Sequence, residues 1–187
     1  KGLELIEAKW LFNTPVEKIE VVMQRESIVH SMVEFIDGSF LAQMSLPDMK
    51  TPLAYCLGWP ERLKIKTPRM EPIKLKKLHF EKIDFQRFPC LKLSYKVANQ
   101  GGSSPAVLNG ANEEVVSAFL NEKIKFIDIP KILIAVIQQF EKILHKSIYE
   151  NTEEIPKFFL NVKSIEDAIE ADQWGRQQAR KILEEIS

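Results

Sequence analysis

At 187 residues the chain can form one sizeable domain or one and a half small ones, and its 45% apolar and 28% charged residues are an ordinary globular balance. The 26 Lys and Arg offset 26 Asp and Glu, so a net charge of zero gives no electrostatic support for a nucleic-acid partner. No apolar run approaches the ~18 residues of a membrane-crossing helix, the opening residues do not read as a signal peptide, and two cysteines, Cys56 and Cys90, make no disulfide framework. Both cysteines are expected as reduced thiols packed like small apolar residues.

Lys1 to Phe12 opens with helical apolar spacing: Leu3, Ile6 and Trp10, with Leu5 and Phe12 beside them. No capping residue precedes it, as expected of a chain cut from something longer. Asn13-Thr14-Pro15 ends the helix. Ile19 to Met23 is rich in β-branched residues and reads as a strand. Ile28 to Ile36 and Ser39 to Ser45 then flank Asp37-Gly38, a hairpin signal in which both turn positions call for positive φ. On the first of these strands Ile28, His30, Met32 and Ile36 share one face and Val29, Val33 and Phe35 the other. Both faces are mostly apolar, so cover is expected on both, helices on one side and a second subunit on the other. Pro52 opens a short helix through Leu57.

Residues 59–87 hold Pro60, Pro68 and Pro72 and read as a linker with one short strand, Lys77 to Phe80. The basic run from Lys64 to Lys77 within it reads as solvated. From Phe88 onward the pattern is helical. A first helix, Leu91 to Asn99, stops at Gly101-Gly102. A second carries Leu108, Ala111, Val115, Ala118 and Phe119 on one stripe. A third has Asp128 as N-cap and an apolar stripe from Ile129 to Leu144. The last begins at Ser164, with Asp167 completing an approximate capping box, and its stripe is Ile165, Ala168, Ile169, Ala179, Leu183 and Ile186. Asp172 and Arg176 can pair along it, and Gly175 inside it costs about 1 kcal/mol relative to Ala. The fold class is α+β: a hairpin-bearing segment 1–58, a linker 59–87, and a four-helix, bundle-like domain 88–187.

Taken alone, these residues carry little chemistry. His30, His79 and His145 are not spaced as ligands, and no CxxC, HExxH, P-loop or GxGxxG occurs. Gly101-Gly102-Ser103-Ser104 follows a helix and not a strand, which makes a poor phosphate cradle. Lys1, Glu4 and Glu7 form a solvated helix face, His30 fits a satisfied core histidine, and Met49 fits plain packing.

Longer strings say more. KGLELIEAKWLF (Lys1 to Phe12) is similar to a signature of the 1-deoxy-D-xylulose 5-phosphate reductoisomerase family, whose usual form opens Asn-Lys-Gly-Leu-Glu. SIVHSMVEFIDGSFLAQMSLPDMKTPLAYCLGWPER (Ser27 to Arg62) resembles that family's most recognisable stretch nearly end to end. FPCLKLSYKVANQGG and LNGANEEVVSAFLNEKIKFIDIP resemble its C-terminal helical domain. The sequence departs from the family at Gln24-Arg25-Glu26, where His-Pro-Gln is common, and at Gly110, where alanine is usual.

The resemblance implies a homodimeric enzyme that rearranges 1-deoxy-D-xylulose 5-phosphate and reduces it with NADPH to 2-C-methyl-D-erythritol 4-phosphate, an isoprenoid precursor, with Mg²⁺ or Mn²⁺ as Lewis acid. Residues 1–58 would then be the later part of a mixed α/β catalytic domain, and NADPH would be bound mainly by an N-terminal domain outside these 187 residues. Glu4 aligns with the last of three acidic metal ligands, the other two lying in an upstream Asp-Ser-Glu motif. Lys1 aligns with a lysine on substrate oxygens. His30 matches a histidine beside the metal, Ser27 bears on the substrate region, and Met49, in Pro47-Asp48-Met49, packs near substrate or nicotinamide. Neither nucleic acid nor membrane is implied as a partner, and the compartment implied is a bacterial cytoplasm or a plastid-type organelle. The alternative is a stand-alone helical dimerisation or interaction module that kept the scaffold without the catalysis.

Overall fold

The computed structural model describes residues 1–150, 156–159 and 162–186. In chain order the elements are α1 (Gly2–Leu11), β1 (Val22–Gln24), β2 (Val29–Glu34), β3 (Phe40–Met44), α2 (Lys50–Gly58), α3 (Pro72–Leu75), β4 (Phe80–Lys82), α4 (Pro89–Gln100), α5 (Ser104–Leu120), α6 (Asp128–Glu150) and α7 (Ile165–Ile186), with 3-10 turns at Val16–Lys18 and Lys157–Phe159. They sort into two compact units, one of residues Lys1–Glu20 with Asp84–Ser187 and one of residues Val21–Ile83. The opening helix, expected with the hairpin segment, packs on α4 and so belongs to the helical unit.

The helical unit follows its apolar periodicity closely in α6. Ile129, Ile132, Leu133, Val136, Ile137 and Phe140 are all buried. Phe140 stacks on Phe159 and meets Trp174 edge-on, which ties the Lys157–Phe159 turn to α7. The helix ends carry the expected chemistry at two places. Gly101, at φ 68°, closes α4 by donating its N–H to the Val97 carbonyl at 3.0 Å. Asp167 N–H donates to Ser164 Oγ at 3.1 Å while Ser164 N–H donates to Asp167 Oδ2 at 3.0 Å, a reciprocal capping box. Asp128 behaves otherwise than expected. Its carboxylate accepts from Lys125 N–H at 3.2 Å and from Lys131 Nζ at 2.8 Å, so it braces the entry to α6.

Two apolar stripes differ from expectation. On α1 only Leu5 and Ile6 are buried, and Trp10 and Phe12 are exposed. On α7 Ile165, Ile169 and Ile186 are exposed, and the inward residues are Ala171, Gly175 and Ala179. The reason is how near the α5 backbone runs. A β-carbon on Gly175 would sit 2.2 Å from the Val107 carbonyl oxygen, and one on Gly110 would sit 2.0 Å from that of Asp172. Only glycine fits at these two points of closest approach, so Gly175 sets the packing of α7 and is no mere propensity cost. Gly110, a departure from the family pattern, is its counterpart on α5.

The second unit holds two separate two-stranded antiparallel sheets, β1 with β4 and β2 with β3. The β2–β3 turn is built on a single positive φ, at Gly38. Gly38 N–H donates to the Phe35 carbonyl and Phe35 N–H to that of Ser39, both at 2.9 Å, and Asp37 Oδ1 accepts from Ser39 N–H at 2.9 Å. This is a type I turn closed by a left-handed glycine, where the two-residue turn expected from Asp-Gly would need positive φ at Asp37 as well. The ribbon is also less covered than its sequence suggests: apart from half-buried Val29, every residue of β2 is exposed. In the expected linker, β4 begins at the end of the predicted strand, and Pro72 opens the extra helix α3. Helix α2 starts two residues before Pro52, where Asp48 Oδ1 accepts from Lys50 N–H at 2.9 Å.

Candidate functional site

The first turn of α1 presents its polar side chains outward. Leu5 and Ile6 are drawn into the helical core, which turns Lys1 and Glu4 toward solvent. Lys1 Nζ donates to Glu4 Oε1 at 3.0 Å, and both side chains are more than half exposed. Partial burial is the largest single influence and pushes the Glu4 carboxyl up, but the hydrogen bonds and charges of the Lys1 side-chain ammonium and the chain's first amino group together outweigh it and hold the group below the ordinary glutamate range. Under this turn lies a cavity of about 260 Å³, bounded by Lys1 to Glu4 and by Cys90, Ser94, Leu108, Asn112 and Leu133. A charge pair at the mouth of a partly polar cavity suits an ionic ligand.

Glu4 is open and hard, and it fits as one oxygen ligand of a divalent cation. A full coordination sphere is not present: among the described residues no three His, Cys, Asp or Glu side chains gather to hold a metal ion.

Ser27, His30 and Met49 belong to the other unit. Ser27 ends a turn in the left-handed region, φ 53°, with its N–H on the Gln24 carbonyl at 3.1 Å. His30 is exposed, which removes the reading as a core histidine, and its Nε2 lies 3.1 Å from the Ser45 carbonyl oxygen. That oxygen can only accept, so Nε2 carries the proton and Nδ1 is the acceptor of the neutral ring. Met49 stands exposed at the head of α2. Of the five residues, then, the fold brings Lys1 and Glu4 into contact with each other.

Gly2 and Ser94, which the sequence did not single out, sit directly under the Lys1–Glu4 pair. The atypical Gln24-Arg25-Glu26 also acquires a role. Arg25 forms a two-pronged pair with Glu81, at 2.6 and 3.0 Å, and the Glu26 carboxylate contacts His79 Nδ1, so these residues fasten the β1 turn to β4. A larger groove, about 470 Å³, lies between α5 and α7. Within it Asn109 Nδ2 donates to Asp172 Oδ1 at 3.0 Å and Arg176 Nε to Asp172 Oδ2 at 2.6 Å. Cys90 is half-buried and Cys56 exposed, so only the first is packed as expected.

The described residues comprise a helical unit that carries the exposed Lys1–Glu4 pair and a small α+β unit. Comparison with known proteins gives the family. Residues 44–178 match the family model described as the DXP reductoisomerase C-terminal domain. The chain is 45% identical over 184 residues to the 1-deoxy-D-xylulose 5-phosphate reductoisomerase of Nitrosomonas eutropha, covering 98% of this chain and 40% of that protein. It is 45% identical over 186 residues to that of Endomicrobium trichonymphae, covering 100% and 44%. Among solved structures, the Zymomonas mobilis reductoisomerase in complex with NADPH superposes with a TM-score of 0.77 at 40% identity, over 98% of this chain and 44% of the other. A DOX-P reductoisomerase in complex with NADPH, fosmidomycin and magnesium superposes with a TM-score of 0.82 at 39% identity, over 98% and 43%. The chain belongs to the 1-deoxy-D-xylulose 5-phosphate reductoisomerase family. It spans 40–44% of the length of these curated relatives. No described helix is long and apolar enough to cross a membrane.

Proposed function

We propose that residues 1–187 supply the later part of an NADPH-dependent reductoisomerase that converts 1-deoxy-D-xylulose 5-phosphate to 2-C-methyl-D-erythritol 4-phosphate in a bacterial cytoplasm. The observation that carries this reading is the open Lys1–Glu4 pair over its cavity, inside the string that resembles the family signature. Glu4 would give one carboxylate oxygen to Mg²⁺ or Mn²⁺, the remaining acidic ligands coming from outside these residues. When bound, the ion supplies Lewis acidity to the substrate's carbonyl and hydroxyl oxygens. Lys1 would exchange its 3.0 Å contact with Glu4 for substrate oxygens, where a mobile ammonium stabilises negative charge.

His30 is the proposed catalytic group of the hairpin unit, with Nδ1 available to accept a proton while the Ser45 carbonyl fixes the ring. The Ser27 hydroxyl would hydrogen-bond substrate, and the exposed Met49 thioether would pack against substrate or nicotinamide. NADPH would be held mainly by a nucleotide-binding segment that these 187 residues do not contain. The proposed homodimer contact is the β2–β3 ribbon, where the large apolar side chains of Val33, Phe35, Ile36, Phe40 and Leu41 all stand exposed.

The test is NADPH oxidation with 1-deoxy-D-xylulose 5-phosphate and Mn²⁺. In the complete polypeptide that carries this segment, Glu4→Gln should lower the rate by about 100-fold or more, since it removes a metal ligand. Wild-type turnover by Glu4→Gln would refute the metal assignment. Residues 1–187 by themselves should show no turnover, and any substrate-dependent oxidation by them would refute the division of labour.

A further inference from the structure

We infer that Gly2 and Ser94 form a positioning contact that sets where Lys1 and Glu4 stand; the inference rests on the metal and substrate roles proposed for that pair. Helix α1 lies along α4 and is held near both ends. At its far end Lys9 Nζ donates to the Ala98 carbonyl at 2.6 Å. In the middle, Leu5 and Ile6 enter the core. At its first turn Ser94 is the nearest side chain to where a β-carbon on Gly2 would lie. Such a β-carbon would lie 2.1 Å from Ser94 Oγ and 2.8 Å from Ser94 Cβ. Ser94 Oγ cannot swing aside without loss, because it donates to the Cys90 carbonyl at 2.9 Å. Gly2 is therefore needed for nearness to α4, and no unusual φ is involved.

The consequence is geometric. Atoms that come no nearer than 3.0 Å would have to part by about 1 Å if Gly2 gained a methyl. With the Lys9 end fixed, α1 would tilt, and the turn carrying Lys1 and Glu4 would move most. A cation coordinated by Glu4 tolerates only a few tenths of an ångström in ligand distance. Displacements of about 1 Å at such a site cost on the order of 100-fold. Gly2 and Ser94 thus act through Glu4 and Lys1 and touch neither metal nor substrate.

The experiment measures Mn²⁺ affinity directly, by the EPR signal of free Mn²⁺, in the complete polypeptide without substrate. The variants are Gly2→Ala, Ser94→Gly, the double variant Gly2→Ala with Ser94→Gly, and Glu4→Gln as reference. Gly2→Ala should weaken Mn²⁺ binding by about tenfold or more. Ser94→Gly should change it by less than about threefold, and the double variant should return to within about threefold of wild type, because relieving the contact restores the turn. A folded Gly2→Ala with wild-type affinity overturns the inference. If Gly2→Ala does not fold, the double variant decides: recovery of fold and affinity supports the contact, and failure of either overturns it. Unchanged Mn²⁺ affinity in Glu4→Gln overturns the metal reading itself, and the inference falls with it. A loss in Glu4→Gln without a loss in Gly2→Ala leaves the reading standing and removes only the positioning contact.

Discussion

Replacing Gly110 with alanine should destabilise the helical unit, although the same change in an ordinary helix interior is favourable by about 1 kcal/mol. The new β-carbon would lie 2.0 Å from the Asp172 carbonyl oxygen, 2.8 Å from its carbon and 3.0 Å from Cα, against the 3.0 Å below which β-carbons essentially never come. These are backbone atoms of α7, so no rotamer change can clear them. Helix α7 must retreat by about 1 Å, or α5 must bend, and overpacking of this kind costs about 1–3 kcal/mol. Retreat is also resisted chemically. Asp172 is tied to Asn109 at 3.0 Å, and Arg180 grips Glu114 of α5 at 2.7 and 2.9 Å. Taking the upper end of the overpacking cost and subtracting the helix-propensity gain leaves about 2 kcal/mol of net destabilisation.

Thermal unfolding read by far-UV circular dichroism should show a midpoint lower by about 4–8 °C. Urea unfolding should show the same loss through the fluorescence of Trp174, which packs on Phe140 and Phe159. Gly175→Ala, aimed at the Val107 carbonyl from the other side, should act alike. The double variant should cost less than the sum, since one separation of α5 from α7 relieves both contacts. A Gly110→Ala protein as stable as wild type, or more so, would refute the view that the two backbones are held at contact distance.

Glu114 offers a pH-dependent test. The Arg180 hydrogen bond, with Arg176 beside it, holds its carboxyl below the ordinary glutamate value of 4.5. A depressed folded-state value stabilises the fold above the unfolded pKa, and that contribution disappears as acid carries the pH below 4.5 and through the folded value. Glu114→Gln should cost about 1 kcal/mol near neutrality, because Arg180 is largely exposed, and should flatten the acid arm of the stability profile; an unchanged arm would exclude this ion pair as its source. Alkylation at mildly alkaline pH should label exposed Cys56 well before Cys90, whose thiol is pushed up by burial, and equal rates followed by peptide mass would contradict that burial. Val33 and Leu41 face each other across the ribbon, so if this ribbon is the proposed dimer contact, Val33→Glu with Leu41→Glu should lower the light-scattering mass of the complete protein from two chains to one. An unchanged mass would move the interface elsewhere.

Local chemistry made much of this fold legible in the sequence. The Gly101 stop, the Ser164–Asp167 box and the α6 stripe each depend on residues within one or two turns of one another, and each appears as the spacing requires. What could not be read depends on partners distant in sequence. Strand β1 is three residues long and pairs with β4 some sixty positions on, with Met23 opposite Glu81. No local pattern announces such a pairing. The inward face of α7 was legible only at Ala179, for a different reason. Hydrophobic periodicity weights large side chains, and here Ile165, Ile169 and Ile186 face out while Ala171 and Gly175 join Ala179 in facing in, Gly175 because what it meets is backbone and not side chain.

The candidate site hid in its ordinariness. A lysine and a glutamate three residues apart on the wet face of a helix form a pair found on many helices, and by themselves they contribute little to stability. Their distinction lies in what is under them. A solvated helix face normally rests on large apolar side chains that tolerate small shifts, whereas this one rests at its first turn on a glycine against a serine hydroxyl, beside a cavity. Such a floor adds little buried apolar area and so little stability. It does fix height and angle, which matter to a ligand and not to the fold. Composition and periodicity report on burial, so they pass over a site built this way. The family resemblance pointed to Lys1 and Glu4, and the packing beneath them supplies the physical reason that the glycine between them is not free to be anything larger.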